Sequence, residues 1–197
     1  VLLNISPDHI DRHGSMEGYT ASKERILEKS GFGVIGVDDI FCQSLYENYR
    51  NKQRFLMPIS TEKKLIKGLY VDKGQLYEDR DADKVFDLNT LERLRGSHNH
   101  QNIAAVYSVA KHLGLDNKEI FNAIKTYPGL DHRQFFVRKI GKVDYINDSK
   151  ATNVDAASKS LSAYENIYWI VGGLAKDGGL NGLETLMPKV KKAYLIG

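Results

Sequence analysis

A single cysteine, Cys42, stands in a chain of 197 residues. That excludes an intramolecular disulfide framework and fits a reducing compartment. Charge of one sign is also scarce. The net charge of +3 is too small to argue for nucleic acid or a membrane surface as a partner. Lysine clusters such as KKLIK and KVKK read as solvated faces. No apolar run nears the roughly 20 residues of a membrane span, and no stretch reads as a signal peptide. The expectation is a cytoplasmic protein. There are no internal repeats, no low-complexity tracts, and no G-x-x-x-x-G-K-[ST] phosphate loop. The composition, 42% hydrophobic and 27% charged, is that of an ordinary globular protein.

The pattern along the chain is α/β. Residues 1–5 read as a strand, 15–29 as an amphipathic helix and 33–39 as a short buried strand. A helix is expected over 40–50 and a strand over 54–60. GLYVDKGQLYED (68–79) carries the alternation of a hairpin around an Asp-Lys-Gly turn. Helices follow over about 99–113, stopped by Gly114, and about 117–126. Tyr127-Pro128-Gly129 is the best domain boundary. Beyond it, KVDYIND, a helix over about 153–164, IYWIVGG, a short helix near 182–191 and AYLIG suggest β-α-β-α-β in a Rossmann-like sheet. Strand-like runs at both ends of the sequence, VLLNIS and AYLIG, suggest a segment of a longer protein.

Ligands of open α/β sheets bind beyond the carboxyl ends of strands. Three polar segments are expected there. SPDHIDRH (6–13) offers His9, His13, Asp8 and Asp11, a set suited to a hard metal, to a phosphate or to a capped turn. NDSKATN (147–153) places Asp148, Lys150, Thr152 and Asn153 at a helix N-terminus, where free N–H groups favour anions. GGLAKDGG (172–179) is loosely glycine-rich and brings Lys176. Asn99 and Asn102 lie i, i+3 at a helix start. One can be the cap, or both can read a base edge, because an amide offers a donor beside an acceptor. Arg133, just past the Pro-Gly boundary, suits phosphate through its planar fork, or is a surface arginine. Lys23 is the odd residue of its helix: by spacing it shares the apolar face of Met16, Tyr19, Ile26 and Leu27. Burial there would lower a lysine pKa and favour its neutral amine. Snorkelling into solvent is the plainer alternative.

Taken in order, DHIDRH, YTASKERI, HNHQN, LDHR, INDSKATN and GG-x-x-K resemble the Mur ligases, ATP-dependent amide ligases of peptidoglycan precursor synthesis. NDSKATN is similar to the motif of the members that add D-glutamate to UDP-N-acetylmuramoyl-L-alanine. The resemblance implies residues 1–128 as the latter part of a mostly parallel central ATP-binding domain, and 129–197 as the first part of a Rossmann-like C-terminal domain that takes the amino acid. It implies that the phosphate loop and a glutamate magnesium ligand precede Val1, and that the two domains swing about residues 127–129. It implies ATP and Mg2+ as cofactors, and an acyl phosphate attacked by the amine of D-glutamate. By the same resemblance His9, a magnesium ligand, and Lys23, a carbamylated lysine, are both catalytic and metal-binding. Asn99 and Asn102 hold adenine, Arg133 contacts the ATP phosphates in a catalytic role, and Asp148 and Lys150 contact nucleotide. Thr152 and Lys176 grip the D-glutamate carboxylate. No nucleic acid and no membrane is expected as a partner, and a monomer is favoured. The alternatives are a folylpolyglutamate synthase-like ligase and a non-catalytic nucleotide-binding module. A nicotinamide oxidoreductase would suit the C-terminal pattern but not its lysines.

Overall fold

A computed structural model describes residues 1–7, 10–28, 31–52, 55–80, 83–173 and 179–196. The chain divides into two compact units, one of Val1–Thr90 with His98–Thr126, the other of Leu91–Ser97 with Tyr127–Gly197.

The first unit holds a five-stranded sheet in the order β1 (Phe32–Gly36), β2 (Phe55–Ser60), β3 (Leu69–Asp72), β4 (Gln75–Glu78), β5 (Lys84–Asp87). β1, β2 and β3 run parallel, β4 pairs antiparallel with β3, and β5 pairs antiparallel with β4. β1 is apolar without alternation and buried over four of its five positions, as a parallel strand covered on both faces must be. The β3–β4 hairpin turns through Lys73 and Gly74, at φ +50° and +75°. Two left-handed residues are what a two-residue hairpin turn needs to match strand twist.

The strand expected over 1–5 is reduced to one parallel bridge, Leu2 to Ile35. Leu2 N–H donates to Val34 O and Gly36 N–H to Leu2 O, both at 2.9 Å. Farther along, side chains take the backbone groups. Leu3 O accepts from Gln101 Nε2 at 3.3 Å, and Ile5 N–H donates to Asp39 Oδ2 at 3.1 Å.

Helix α1 is Ile10–His13 and α2 is Met16–Glu28. α3 (Ile40–Arg50) starts at Asp39, whose Oδ1 accepts from Cys42 N–H at 2.9 Å, a standard N-cap. It buries Cys42, Leu45 and Tyr49 at helical spacing. These pack with Leu2, Ile5, Leu27, Ile35 and Val37 into one core, with Met16 and Tyr19 against its edge. α4 (Ser97–His112) and α5 (Asn117–Thr126) follow. Tyr107 joins them to the sheet: its hydroxyl donates to Glu78 Oε2 at 3.0 Å and lies 3.2 Å from Asn117 Oδ1.

In the second unit the expected single sheet is not formed among the described residues. β7 (Val143–Asn147) pairs antiparallel with β6 (Phe135–Ile140), a strand the sequence reading omitted. The two-residue turn Gly141-Lys142, with Gly141 at φ +59°, suits a tight hairpin. α6 (Val154–Ala163) is capped by Asn153, whose Oδ1 accepts from Ala156 N–H at 2.8 Å. β8 (Ile167–Gly172) then pairs parallel with β9 (Val190–Ile196). The helix expected near 182–191 is a short 3-10 turn, Glu184–Lys189, with Pro188 inside it. A proline removes the donor that a longer α-helix would need there. The fold class is α/β.

Candidate functional site

In the first unit the opening of α4 carries Asn99 and Asn102, its third and sixth residues. Asn99 is half-buried and Asn102 is exposed. Between them Gln101 is buried and holds the Val1–Ile5 segment through Leu3 O. That segment precedes SPDHIDRH in sequence, and its Leu2 O accepts from Gly36 N–H at the carboxyl end of β1. The sequence reading missed Gln101. Its only signal was an amide between two positions assigned to a ligand.

Lys23 corrects an expectation. It is exposed, not directed into the core. The inward stripe of α2 is Met16, Tyr19 and Leu27, and Ile26 beside it is 53% exposed. The Lys23 ammonium stands 5.2 Å from the centroid of the Tyr19 ring, which lies 5.1 Å from the His13 ring. Desolvating an ammonium is expensive, whereas a ring face beside solvent attracts it at little cost. His13 Nδ1 is 3.4 Å from Ser22 Oγ. His9, the expected magnesium ligand, lies outside the described residues. Among the described residues, no three His, Cys, Asp or Glu side chains gather as a metal set.

In the second unit the fold brings together residues that are far apart in sequence. Lys150 N–H donates to His132 O at 3.1 Å, and Asn147 Nδ2 lies 3.1 Å from His132 Nδ1. Gln134 N–H donates to Asp148 Oδ1 at 2.9 Å, and the Ser160 hydroxyl of α6 donates to Asp148 Oδ2. NDSKATN is therefore laced to the HRQ turn that carries Arg133. Asp148 is half-buried with both oxygens engaged. Arg133, Lys150 and Thr152 are exposed, and among the described residues their side chains have no polar partner. Two cations and a hydroxyl, unpartnered among the described residues, on a hydrogen-bonded loop pair at the C-terminal end of β7 and the start of α6, suit an anionic ligand. Lys176 lies outside the described residues.

A shallow cleft of the second unit involves none of the expected residues. Arg95 stands over the Tyr164 ring at 5.7 Å, and Lys139 pairs with Asp144 at 3.4 Å. Burial pushes the Tyr164 hydroxyl pKa up. In the first unit, residues 31–36, GFGVIG, spell a G-x-G-x-x-G pattern. They occupy β1 rather than a strand-to-helix turn, so they are no dinucleotide fingerprint.

The family description of the Mur ligase middle domain matches residues 1–110. The chain belongs to the Mur ligase family. Within that family it is 47% identical, over 204 residues, to the UDP-N-acetylmuramoylalanine–D-glutamate ligase of Caulobacter vibrioides. The alignment covers 100% of this chain and 43% of the relative, so the chain spans less than half the length of that ligase. The MurF ligase of Thermotoga maritima, solved in complex with ADP, superposes with a TM-score of 0.61 at 18% identity, covering 99% of this chain and 47% of that one. The apo form of the L. casei FPGS does so with a TM-score of 0.63 at 18% identity, covering 98% and 48%. Both likenesses are of Mur-type fold. The two residues that most constrain the second-unit loops of this Mur ligase chain, Gln134 and Ser160, were also missed from sequence. Each is an unremarkable polar residue until the fold sets it against Asp148.

Proposed function

We propose that this chain is part of an ATP-dependent amide ligase that joins D-glutamate to UDP-N-acetylmuramoyl-L-alanine during peptidoglycan precursor synthesis. The observation that carries the reading is the lacing of NDSKATN to the Arg133 turn, in a chain 47% identical to a ligase named for those substrates. On this reading residues 1–128 belong to the ATP-binding domain and 129–197 to the domain that takes the amino acid. The enzyme works in the cytoplasm as a monomer. The lone, buried Cys42 suits a reducing setting.

The chemistry asks mainly for positioning and charge stabilisation. A carboxylate oxygen of the alanyl substrate attacks the γ-phosphorus of ATP, and ADP leaves. The amine of D-glutamate then attacks the acyl carbon, and phosphate departs with that oxygen. Arg133 and Lys150, exposed and unpartnered among the described residues, fit the phosphates. Asn99 and Asn102 on α4 hold the adenine edge. Asp148 holds the Arg133 turn and keeps lone pairs for the nucleotide. Thr152 and Lys176 bind the D-glutamate carboxylate. Bound magnesium would neutralise charge on the phosphate oxygens. His9 and a carbamate on Lys23 would hold it, since a carbamate supplies oxygen ligands on a long, mobile arm. Lys23 is exposed, so the carbamate is carried by the motif resemblance and not by burial.

The likeness to FPGS makes a folate acceptor the second reading. Phosphate release by the full-length protein separates the two. It should require UDP-N-acetylmuramoyl-L-alanine and D-glutamate together, and it should not respond to a reduced folate with L-glutamate. Release only with the folate pair would reverse the assignment. Binding of ATP with no release under any acceptor would favour the non-catalytic module.

A further inference from the structure

Arg133 sits between two non-glycine residues in the left-handed region, His132 at φ +64° and Gln134 at φ +46°. Such residues are sparse and persist only where their surroundings over-determine them. Here the restraints can be named. Arg133 N–H donates to Leu130 O at 3.1 Å. Lys150 N–H holds His132 O, and Asn147 reaches the His132 ring. The Asp148 carboxylate accepts from Gln134 N–H. That last restraint works only if the carboxylate is aimed. Its second oxygen accepts from Ser160, on the second turn of α6.

The other serines of α6 behave differently. Ser158 Oγ donates to Asp155 O and Ser162 Oγ to Lys159 O, each at 2.8 Å and each within the helix. That is the usual destination of a serine hydroxyl on a helix. Ser160 donates out of the helix to Asp148.

We propose that Ser160 is a positioning residue for Arg133: its hydroxyl aims the Asp148 carboxylate, which holds the left-handed HRQ turn and so presents the guanidinium on a fixed backbone. The proposal rests on the reading of Arg133 as a contact to the ATP phosphates. Without the Ser160 hydroxyl, Asp148 rotates off Gln134 N–H. The turn relaxes toward ordinary φ values, and Arg133 spends less time in the presented geometry. Nucleotide then pays the ordering cost at each binding event.

The test is steady-state kinetics and thermal unfolding of full-length Ser160→Ala, Ser160→Thr, Arg133→Ala and Ser160→Ala/Arg133→Ala enzymes. Ser160→Ala raises helix propensity, so folding is not put at risk. Loss of one such hydrogen bond should raise the KM for ATP by up to about tenfold. The KM for D-glutamate and the Tm should stay near wild type. Ser160→Thr keeps the hydroxyl and should restore the ATP value. In the Arg133→Ala background, Ser160→Ala should add nothing. If Arg133→Ala weakens ATP use and Ser160→Ala does not, Ser160 has no positioning role while the phosphate reading stands. If the ATP and D-glutamate values move together with a fallen Tm, Ser160 is structural only, and the proposal is overturned. If Arg133→Ala itself leaves ATP use unchanged, the phosphate reading fails and takes the proposal with it.

Discussion

Replacing Gly36 with alanine should destabilise the first unit. Gly36 closes β1, where its N–H bonds Leu2 O. A Cβ added there would stand 1.9 Å from Leu3 O and 2.8 Å from Gln101 Nε2. The first distance is far inside any contact a real Cβ makes, and the obstacle is backbone. The Val1–Ile5 segment must move outward, breaking the Gln101–Leu3 hydrogen bond and loosening Ile5 from Asp39. Overpacking of this kind costs about 1–3 kcal/mol, and the lost hydrogen bond about 1 kcal/mol more. A domain's whole stability is about 5–15 kcal/mol, so a loss of about 2–4 kcal/mol should lower Tm by roughly 10 °C. Gly31→Ala is the matched control, because nothing lies within 4 Å of its added Cβ. Thermal unfolding followed by circular dichroism compares the two. A Gly36→Ala protein melting within about 2 °C of the Gly31→Ala protein would refute the packing account of this edge.

Lys23→Ala should abolish most ligase activity in the full-length enzyme, and added short-chain carboxylic acids should restore part of it. A Lys23→Arg enzyme with wild-type turnover would end the carbamate assignment. Burial holds the His100 pKa below the usual imidazole value of 6.5. As pH falls, the unfolded chain therefore takes up the proton before the folded one does. Stability present above about pH 6.5 should be lost below it. Melting temperatures between about pH 7.5 and pH 5.5 should fall less steeply in His100→Gln, and an unchanged slope would count against it.

Much of the first unit was legible because local and tertiary signals agree there. Asp39 precedes a helix whose buried residues have helical spacing, and the Asp-Lys-Gly turn sits between alternating strands. The second unit was harder. FFVRKI exposes five of its six positions, so it lacks the alternation that marks a half-buried strand, and the hairpin with Val143–Asn147 went unseen. Leu91–Ser97 belongs to the second unit while both neighbours in sequence belong to the first. No compositional break marks such an excursion. Lys23 was misplaced because a helical wheel says which residues share a face, not whether anything covers that face. The motif residues could be named from their resemblance to the Mur ligases. Their support could not, because Gln101, Gln134 and Ser160 acquire meaning only from partners 98, 14 and 12 positions away.

The path of one oxygen tests the central claim most directly. UDP-N-acetylmuramoyl-L-alanine labelled with oxygen-18 in its alanyl carboxylate is incubated with full-length enzyme, ATP, magnesium and D-glutamate, and the released phosphate is analysed by mass spectrometry. An acyl phosphate carries the substrate oxygen into phosphate, so each turnover should yield phosphate bearing one labelled oxygen, and release should stop when L-glutamate replaces D-glutamate. Unlabelled phosphate formed at the rate of amide synthesis would contradict the account.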